Sequence, residues 1–310
     1  MLRALTLLAA AALALPATAA AQSSYPYGPD QSPAGANDFA CKPTAAHPDP
    51  VVLVHGLGAN MDQNWNWMAP RIHDAGYCVF ALTYGRKTDN PQPFDQPGGF
   101  KRMEDSALEL AAFVDRVLAA TGADKVDIVG HSEGSLLPDY YLKFVPSAKI
   151  AEGPLAGQYK AAKYVGMTPL WDGTNLAEAG TLSDAGEPTG LPDMVKGWMA
   201  EGCASCPEFI QGSDFIQKMN GEGGPKLPGI AYTMLMTRND ELVQPYTSGE
   251  MDGATNIVVQ DQCPADPSEH LAMAFDPLVL RNVLNALDPA HAVAADCTTY
   301  FTGWSAAHSS

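Results

Sequence analysis

Basic residues are scarce in this chain of 310 residues: 18 Lys and Arg face 35 Asp and Glu, a formal charge of −17. That deficit excludes the basic footprint of a nucleic-acid binder and tight docking on an anionic membrane surface. Also missing are a collagen-like glycine period, a heptad run and any obvious internal repeat, which removes fibrous, coiled-coil and solenoid architectures. Beyond the N-terminus no stretch approaches the ~20 apolar residues that a membrane-spanning helix needs. What is there is a chain 46% apolar and 17% charged, long enough for one large globular domain with a substantial core.

The N-terminus is built differently. Arg3 supplies one positive charge, Ala4 to Leu15 is an apolar run, Pro16 breaks it, and Ala19-Ala20-Ala21 precede Gln22. This is the layout of a secretory signal peptide cleaved near Ala21, and it is too short to span a bilayer. Residues 1–21 are therefore read as a signal peptide, 22–46 as an irregular Pro-, Gly- and Ser-rich leader, and 47–310 as the main domain of a secreted protein. Export makes the six cysteines candidates for disulfides. Proximity in sequence suggests Cys41–Cys78, Cys203–Cys206 and Cys263–Cys297. Cys203-x-x-Cys206 has the spacing of half a zinc site, but no second Cys/His pair follows it at suitable spacing, so metal ligation is the weaker reading.

From Val51 the pattern becomes regular. Val51–Val54 and Cys78–Leu82 are short continuous apolar runs, the signature of strands buried on both faces of a parallel sheet, and Val126-Asp127-Ile128-Val129 reads as the next strand, ending at Gly130. Ala161–Met167 (interrupted by Lys163), Ile230–Met236 and Ile257–Gln260 are further candidate strands. Trp65, Met68 and Ile72 share a helical face. Between Ser106 and Ala120 the apolar positions recur at helical spacing and Gly122 is a natural stop, while Asp276-Pro277 reads as an N-cap followed by a first-turn proline. Alternating strands and helices predict an α/β fold with a mostly parallel sheet and helices on both faces. The span from about 154 to 228 breaks that rhythm. It is dense in Gly and Pro with scattered apolar clusters, and is read as a cap insertion rather than an ordinary packed subdomain.

Gly130-His131-Ser132-Glu133-Gly134 fits G-x-S-x-G directly after a strand. Such a turn is strained, lifts the serine hydroxyl clear of the backbone, and leaves no room for side chains two residues to either side. Pro138 sits awkwardly for a helix that begins at the turn. A serine needs a base to take its proton, and the base needs an orienting carboxylate, with the chain order serine, acid, histidine. His270 follows the Ile257–Gln260 strand and precedes the Asp276 helix, whereas His291 and His308 fall in a tail. Asp240 follows the Ile230–Met236 strand at once, with Glu241 as the main rival and Asp261 a lesser one. A tetrahedral oxyanion needs fixed N–H donors, assigned to the amides of Glu133 and of Leu57 in His55-Gly56-Leu57-Gly58.

Together these residues, with Asp240 in Arg238-Asn239-Asp240-Glu241-Leu242-Val243 and His270 in Glu269-His270-Leu271, resemble the α/β-hydrolase superfamily. More closely, the chain is similar to secreted bacterial triacylglycerol lipases of the class-2 type, through Pro50–Phe144 and again from about Gly229 to Pro289. The resemblance implies hydrolysis of a lipid or small-molecule ester by Ser132, His270 and Asp240, with no cofactor. Three departures stand out: Glu133 where Gln or Met is usual, Ser135 for a common glycine, and Thr168-Pro169-Leu170-Trp171-Asp172 in place of Asn-His-Gly-Thr. Leu170 and Trp171 are candidates to line the acyl site. The plain account of Glu133 is a carboxylate favoured by a helix N-terminus; facing the site, it would instead disfavour anionic substrates and raise the histidine's proton affinity. A serine peptidase or amidase on the same scaffold, and a non-catalytic exported binding domain, are the alternatives. A monomer is expected, with no nucleic-acid partner.

Overall fold

The computed structural model describes Gly28 and residues 30–89, 95–175, 202–221 and 223–307. The segment read as a signal peptide and His308 lie outside the described residues. Six strands, β1 (Val51–Val54), β2 (Val79–Leu82), β3 (Val126–His131), β4 (Ala161–Met167), β5 (Ala231–Met236) and β6 (Thr255–Val258), form one parallel sheet in the order β2-β1-β3-β4-β5-β6. Every residue of β1, β2 and β3 is buried, which is why β1 and β2 read as unbroken apolar runs instead of alternating ones.

The helices among the described residues are α1 (Met61–Trp65), α2 (Met68–Asp74), α3 (Met103–Thr121), α4 (Leu137–Phe144), α5 (Asp214–Met219), α6 (Val259–Gln262), α7 (Pro277–Leu287) and α8 (Cys297–Ala307). Side chains alternate across each strand, so the sheet sorts them into two cores. Val51 and Leu53 pack with Trp65, Met68 and Ile72 of α1 and α2 and with Leu278, Val279 and Val283 of α7. Val52 and Val54 pack on the opposite face with Leu110 and Val114 of α3 and Leu137 and Tyr141 of α4. Gly122 ends α3 in the left-handed region at φ 81°, and Asp276 caps α7 by accepting from the amides of Leu278 and Val279.

The edge of the sheet at β2 is covered by the leader. Ala36 pairs with Val79, the Asn37 side chain bonds both backbone groups of Ala81 at 2.9 Å, and Cys41 is bonded to Cys78. The other two disulfides are Cys203–Cys206 and Cys263–Cys297, so both sulfurs of the Cys-x-x-Cys pair are spent on each other and are not ligands. Cys263–Cys297 ties α8, a helix that the sequence reading left as tail, to the chain before α7.

The span 154–228 is not one insertion. Ala161–Met167 is β4, paired with β3 on one side and β5 on the other. Lys163, which interrupts its apolar pattern, is explained by an ion pair with Asp127 of β3 at 2.8 Å. The departure from the sheet therefore starts after Met167. Among the described residues no helix is long and apolar enough to cross a membrane.

Candidate active site

β3 ends in a bend that only this local sequence permits. Ser132 takes φ 56°, a left-handed conformation for a non-glycine residue, held by its surroundings at a cost on the order of 1–2 kcal/mol. Side chains are excluded on both sides of it. A Cβ on Gly130 would run into the backbone of Gly134, and one on Gly134 into the carbonyls of Val54 and His55. The chain then makes a single 3₁₀ turn, Ser132–Ser135, before α4 begins at Leu137. Pro138 sits in the first turn of α4, where no N–H is needed, so it delays the helix without kinking it.

The histidine and the acid arrive on neighbouring loops. Asn239 and Glu269 form an isolated parallel bridge, and the Thr237 hydroxyl donates to Ser268 O at 2.6 Å, which draws the segments after β5 and β6 together. His270 Nδ1 lies 2.9 Å from each carboxylate oxygen of Asp240. Asp240 Oδ1 also accepts from the amides of Leu242 and Val243, at 2.9 and 2.7 Å, so the carboxylate is fixed from behind. Both side chains are buried. Burial alone pulls the His270 ring below the ordinary histidine value, but the charge and hydrogen bond of Asp240, with Glu241 and Glu269 beyond, reverse this and hold it above. Glu241 does not touch the ring: it accepts from the His270 amide at 3.3 Å, and burial together with Glu269 pushes it up to about 7. Asp261 pairs with Arg238 and His291 with Asp288, both away from the pocket.

Ser132 and His270 open on one pocket. Among the described residues no hydrogen bond joins the Ser132 hydroxyl to the ring. Leu57 and Glu133 line the same pocket, and among the described residues neither amide donates to a protein acceptor. The remaining wall is apolar and comes from two places. Leu170, Thr174, Cys206 and Phe209 belong to the departure after β4, while Leu242, Val243 and Leu271 flank the acid and the histidine. Asn64 and His131 were not singled out from the sequence. Asn64 accepts from the Gly56 amide at 3.2 Å and lies 3.0 Å from His131 Nδ1, whose ring touches the His270 carbonyl. Burial and the neighbouring His270 push His131 down to about 3, so it stays neutral.

Two expectations need correction. Trp171 does not line this pocket: it is 1% exposed, its indole N–H donates to Met234 Sδ at 3.2 Å, and it fills the core between β4 and β5. Glu133 does stand in the first turn of the 3₁₀ segment, but its side chain does not face the site as a charge toward substrate. It is 1% exposed and turned toward Tyr84 and Ser205.

A fully parallel six-stranded sheet wrapped by helices on both faces, with a strained serine turn after its central strand, defines an α/β-hydrolase. Solved structures agree on the fold. Aspergillus fumigatus lipase B is similar at a TM-score of 0.59 and 18% identity, covering 86% of this chain and 56% of that one. Bacillus licheniformis lipase BlEst2 in its mature form is similar at 0.54 and 18%, covering 79% and 94%. Within that fold, the profile of the family Lipase (class 2) matches residues 48–281, and the chain belongs to this family. A triacylglycerol lipase of Pseudarthrobacter phenanthrenivorans is 37% identical over 102 residues, 31% of this chain and 29% of that protein. One of Burkholderia plantarii is 35% identical over 102 residues, 31% and 26%. The match thus spans less than a third of either curated relative.

Proposed function

We propose that this protein is a secreted serine carboxylic-ester hydrolase of the lipase or esterase kind. Ser132 attacks the ester carbonyl, His270 takes the hydroxyl proton and returns it to the leaving alcohol, and Asp240 holds the imidazole with Nδ1–H toward itself. Water then cleaves the acyl-enzyme with the same base. The amides of Leu57 and Glu133 receive the oxyanion, each donor contributing on the order of 3 kcal/mol to the barrier. The segment after β4 forms a cap whose Leu170 and Phe209 bind the acyl chain. Removal of residues 1–21 releases the protein into an oxidising compartment, a reading supported by the three disulfides.

The observation that carries this reading is a left-handed serine opening on one pocket with a buried, carboxylate-held histidine and two unclaimed amides. A fluorophosphonate probe and a p-nitrophenyl ester series of increasing acyl length test it. Wild type is expected to label at Ser132 and turn over the esters. Ser132→Ala is expected to take no label and lose roughly 10³-fold or more in kcat. Wild-type protein that neither labels nor hydrolyses any ester would refute the assignment. Faster release of amine than of acid from matched substrates would favour the peptidase alternative.

A further inference from the structure

Glu133 is where this chain departs from the usual residue after the nucleophile, and its buried carboxyl has no place in the ester mechanism above. Oε1 lies 3.2 Å from the Tyr84 hydroxyl and Oε2 lies 3.4 Å from the Ser205 hydroxyl. Each of those hydroxyls owns a single proton, and each has a nearer partner that can only accept. Tyr84 donates to His55 O at 2.8 Å, and Ser205 to Gly99 O at 2.5 Å. With both protons committed to carbonyls, an ionised Glu133 would face two oxygens and no donor. An unpaired buried charge is strongly disfavoured. A neutral Glu133 supplies one of the two missing hydrogens itself, as an undissociated acid donating to one of the two hydroxyl oxygens, and leaves a single long oxygen–oxygen contact in place of two.

Among the described residues no cation pairs with Glu133, and Lys101 and Arg102 are held by Glu109 and Glu208. Tyr84 stands on the loop after β2, and His55, stacked on Tyr84 at 4.3 Å, is held neutral by burial, pushed down to about 4. Glu109 lies behind Tyr84 and Glu208 beyond the disulfide loop, both of them acids. Burial, with Glu208 adding to it, holds the Glu133 carboxyl well above the usual carboxylate range.

This carboxyl sits where three segments meet. Ser205 lies inside the Cys203–Cys206 loop. Gly99, its carbonyl partner, packs at once against the Glu133 carboxyl and the backbone of Leu57, so that a Cβ there would come within 3.2 Å of the first and 3.0 Å of the second. Gly98 in turn exchanges backbone hydrogen bonds with Gly58 and Ala59, at 3.0 and 2.7 Å. We propose that the Glu133 side chain is a positioning residue that, by donating a hydrogen bond to one of these hydroxyls, holds the serine turn against the loops that carry Tyr84 and Ser205 and thereby sets the spacing of the Glu133 and Leu57 amides. This rests on the assignment of those amides to the oxyanion.

Glu133→Gln, Glu133→Ala and Ser205→Ala test the proposal, each checked for a native melting curve. In the infrared difference between wild type and Glu133→Gln at neutral pH, a protonated-carboxyl C=O band that shifts in D₂O is expected; its absence would overturn the proposal. With a p-nitrophenyl ester, Glu133→Ala should lower kcat on the order of tenfold to a hundredfold while KM moves less than about threefold. Gln carries an N–H donor and should recover most of that loss. Ser205→Ala, remote in sequence, should reproduce part of it and keeps the test alive should Glu133→Ala fail to fold. A natively folded Gln variant as slow as the Ala variant would overturn the positioning role. A wild type that hydrolyses no ester would take down the site assignment and the positioning role with it, while the infrared band would stand on its own.

Discussion

A general base works only while it is neutral, so the charge that steadies His270 also moves the pH at which it becomes useful. Asp240 holds the ring above the ordinary histidine value of 6.5. Protonated imidazole cannot accept the Ser132 proton, so kcat/KM should climb with pH through a limb lying above 6.5, the free-histidine value. Asp240→Asn should shift this limb downward, because the raising charge is gone while burial remains, and should cost about 10⁴ in kcat through the wrong ring tautomer. Initial rates on a soluble ester across the neutral range decide it: a wild-type limb at or below the free-histidine value contradicts the arrangement. At this scale the pairing of Asp240 with His270, and the opening of His270 and Ser132 on one pocket, were legible because chain order and strand ends constrain them. The Trp171 and Glu133 side chains were not. Which way a side chain turns depends on partners far away in sequence, Met234 for one and Tyr84 and Ser205 for the other.

Elements are held to the site by backbone that comes too close for side chains. Gly134 and Gly122 are both glycines at an element's end, yet they differ physically. A Cβ on Gly134 would strike the carbonyls of Val54 and His55, backbone of β1 and its loop that cannot yield without moving the Leu57 segment. At Gly122 nothing lies within 4 Å and only the left-handed φ of 81° opposes a side chain. Gly122→Ala should therefore cost about 1–2 kcal/mol, read by urea unfolding, and leave ester turnover intact. Gly134→Ala should cost more than about 3 kcal/mol or prevent folding. Equal losses would mean that the turn is looser than its packing implies. β1 and β2 were legible as apolar runs because both faces of a parallel sheet are buried; the strand expected at Ile257–Gln260 was misplaced, since β6 is the more exposed Thr255–Val258 and Val259 and Gln260 open α6. The point where the chain leaves the sheet was not legible: β4 carries the partly buried Lys163 and lies in Gly- and Pro-rich surroundings, and its place in the sheet is fixed by pairing with β3 and β5, which no local pattern encodes.

Across the whole molecule, several carboxyls are buried without enough positive charge to keep them ionised, and this gives folding a pH slope. Burial pushes Asp127, Asp139 and Glu241 up to about 7 and Asp276 up to about 6, and raises Glu133 as well. In the unfolded chain these groups ionise near 3.8 to 4.5. The native state therefore binds more protons above that range, and stability falls as pH rises through it. His55 and His131 act oppositely: held neutral in the fold, they cost stability as pH drops below 6.5, where the unfolded chain protonates. Below 6.5 the two effects oppose each other. As pH rises from 6.5 through about 7 the histidine effect is spent, and the carboxyls and the raised His270 remain, all in one direction, on a chain whose formal charge is already −17. The melting temperature should fall across that window. Asp139→Asn isolates one contributor. Lys143, 3.6 Å from Asp139, also donates to the carbonyls of Met219 and Gly224, so the substitution leaves no orphaned cation. The variant's melting temperature should fall less steeply with pH than that of the wild type; parallel curves would mean that Asp139 is already ionised in the native protein.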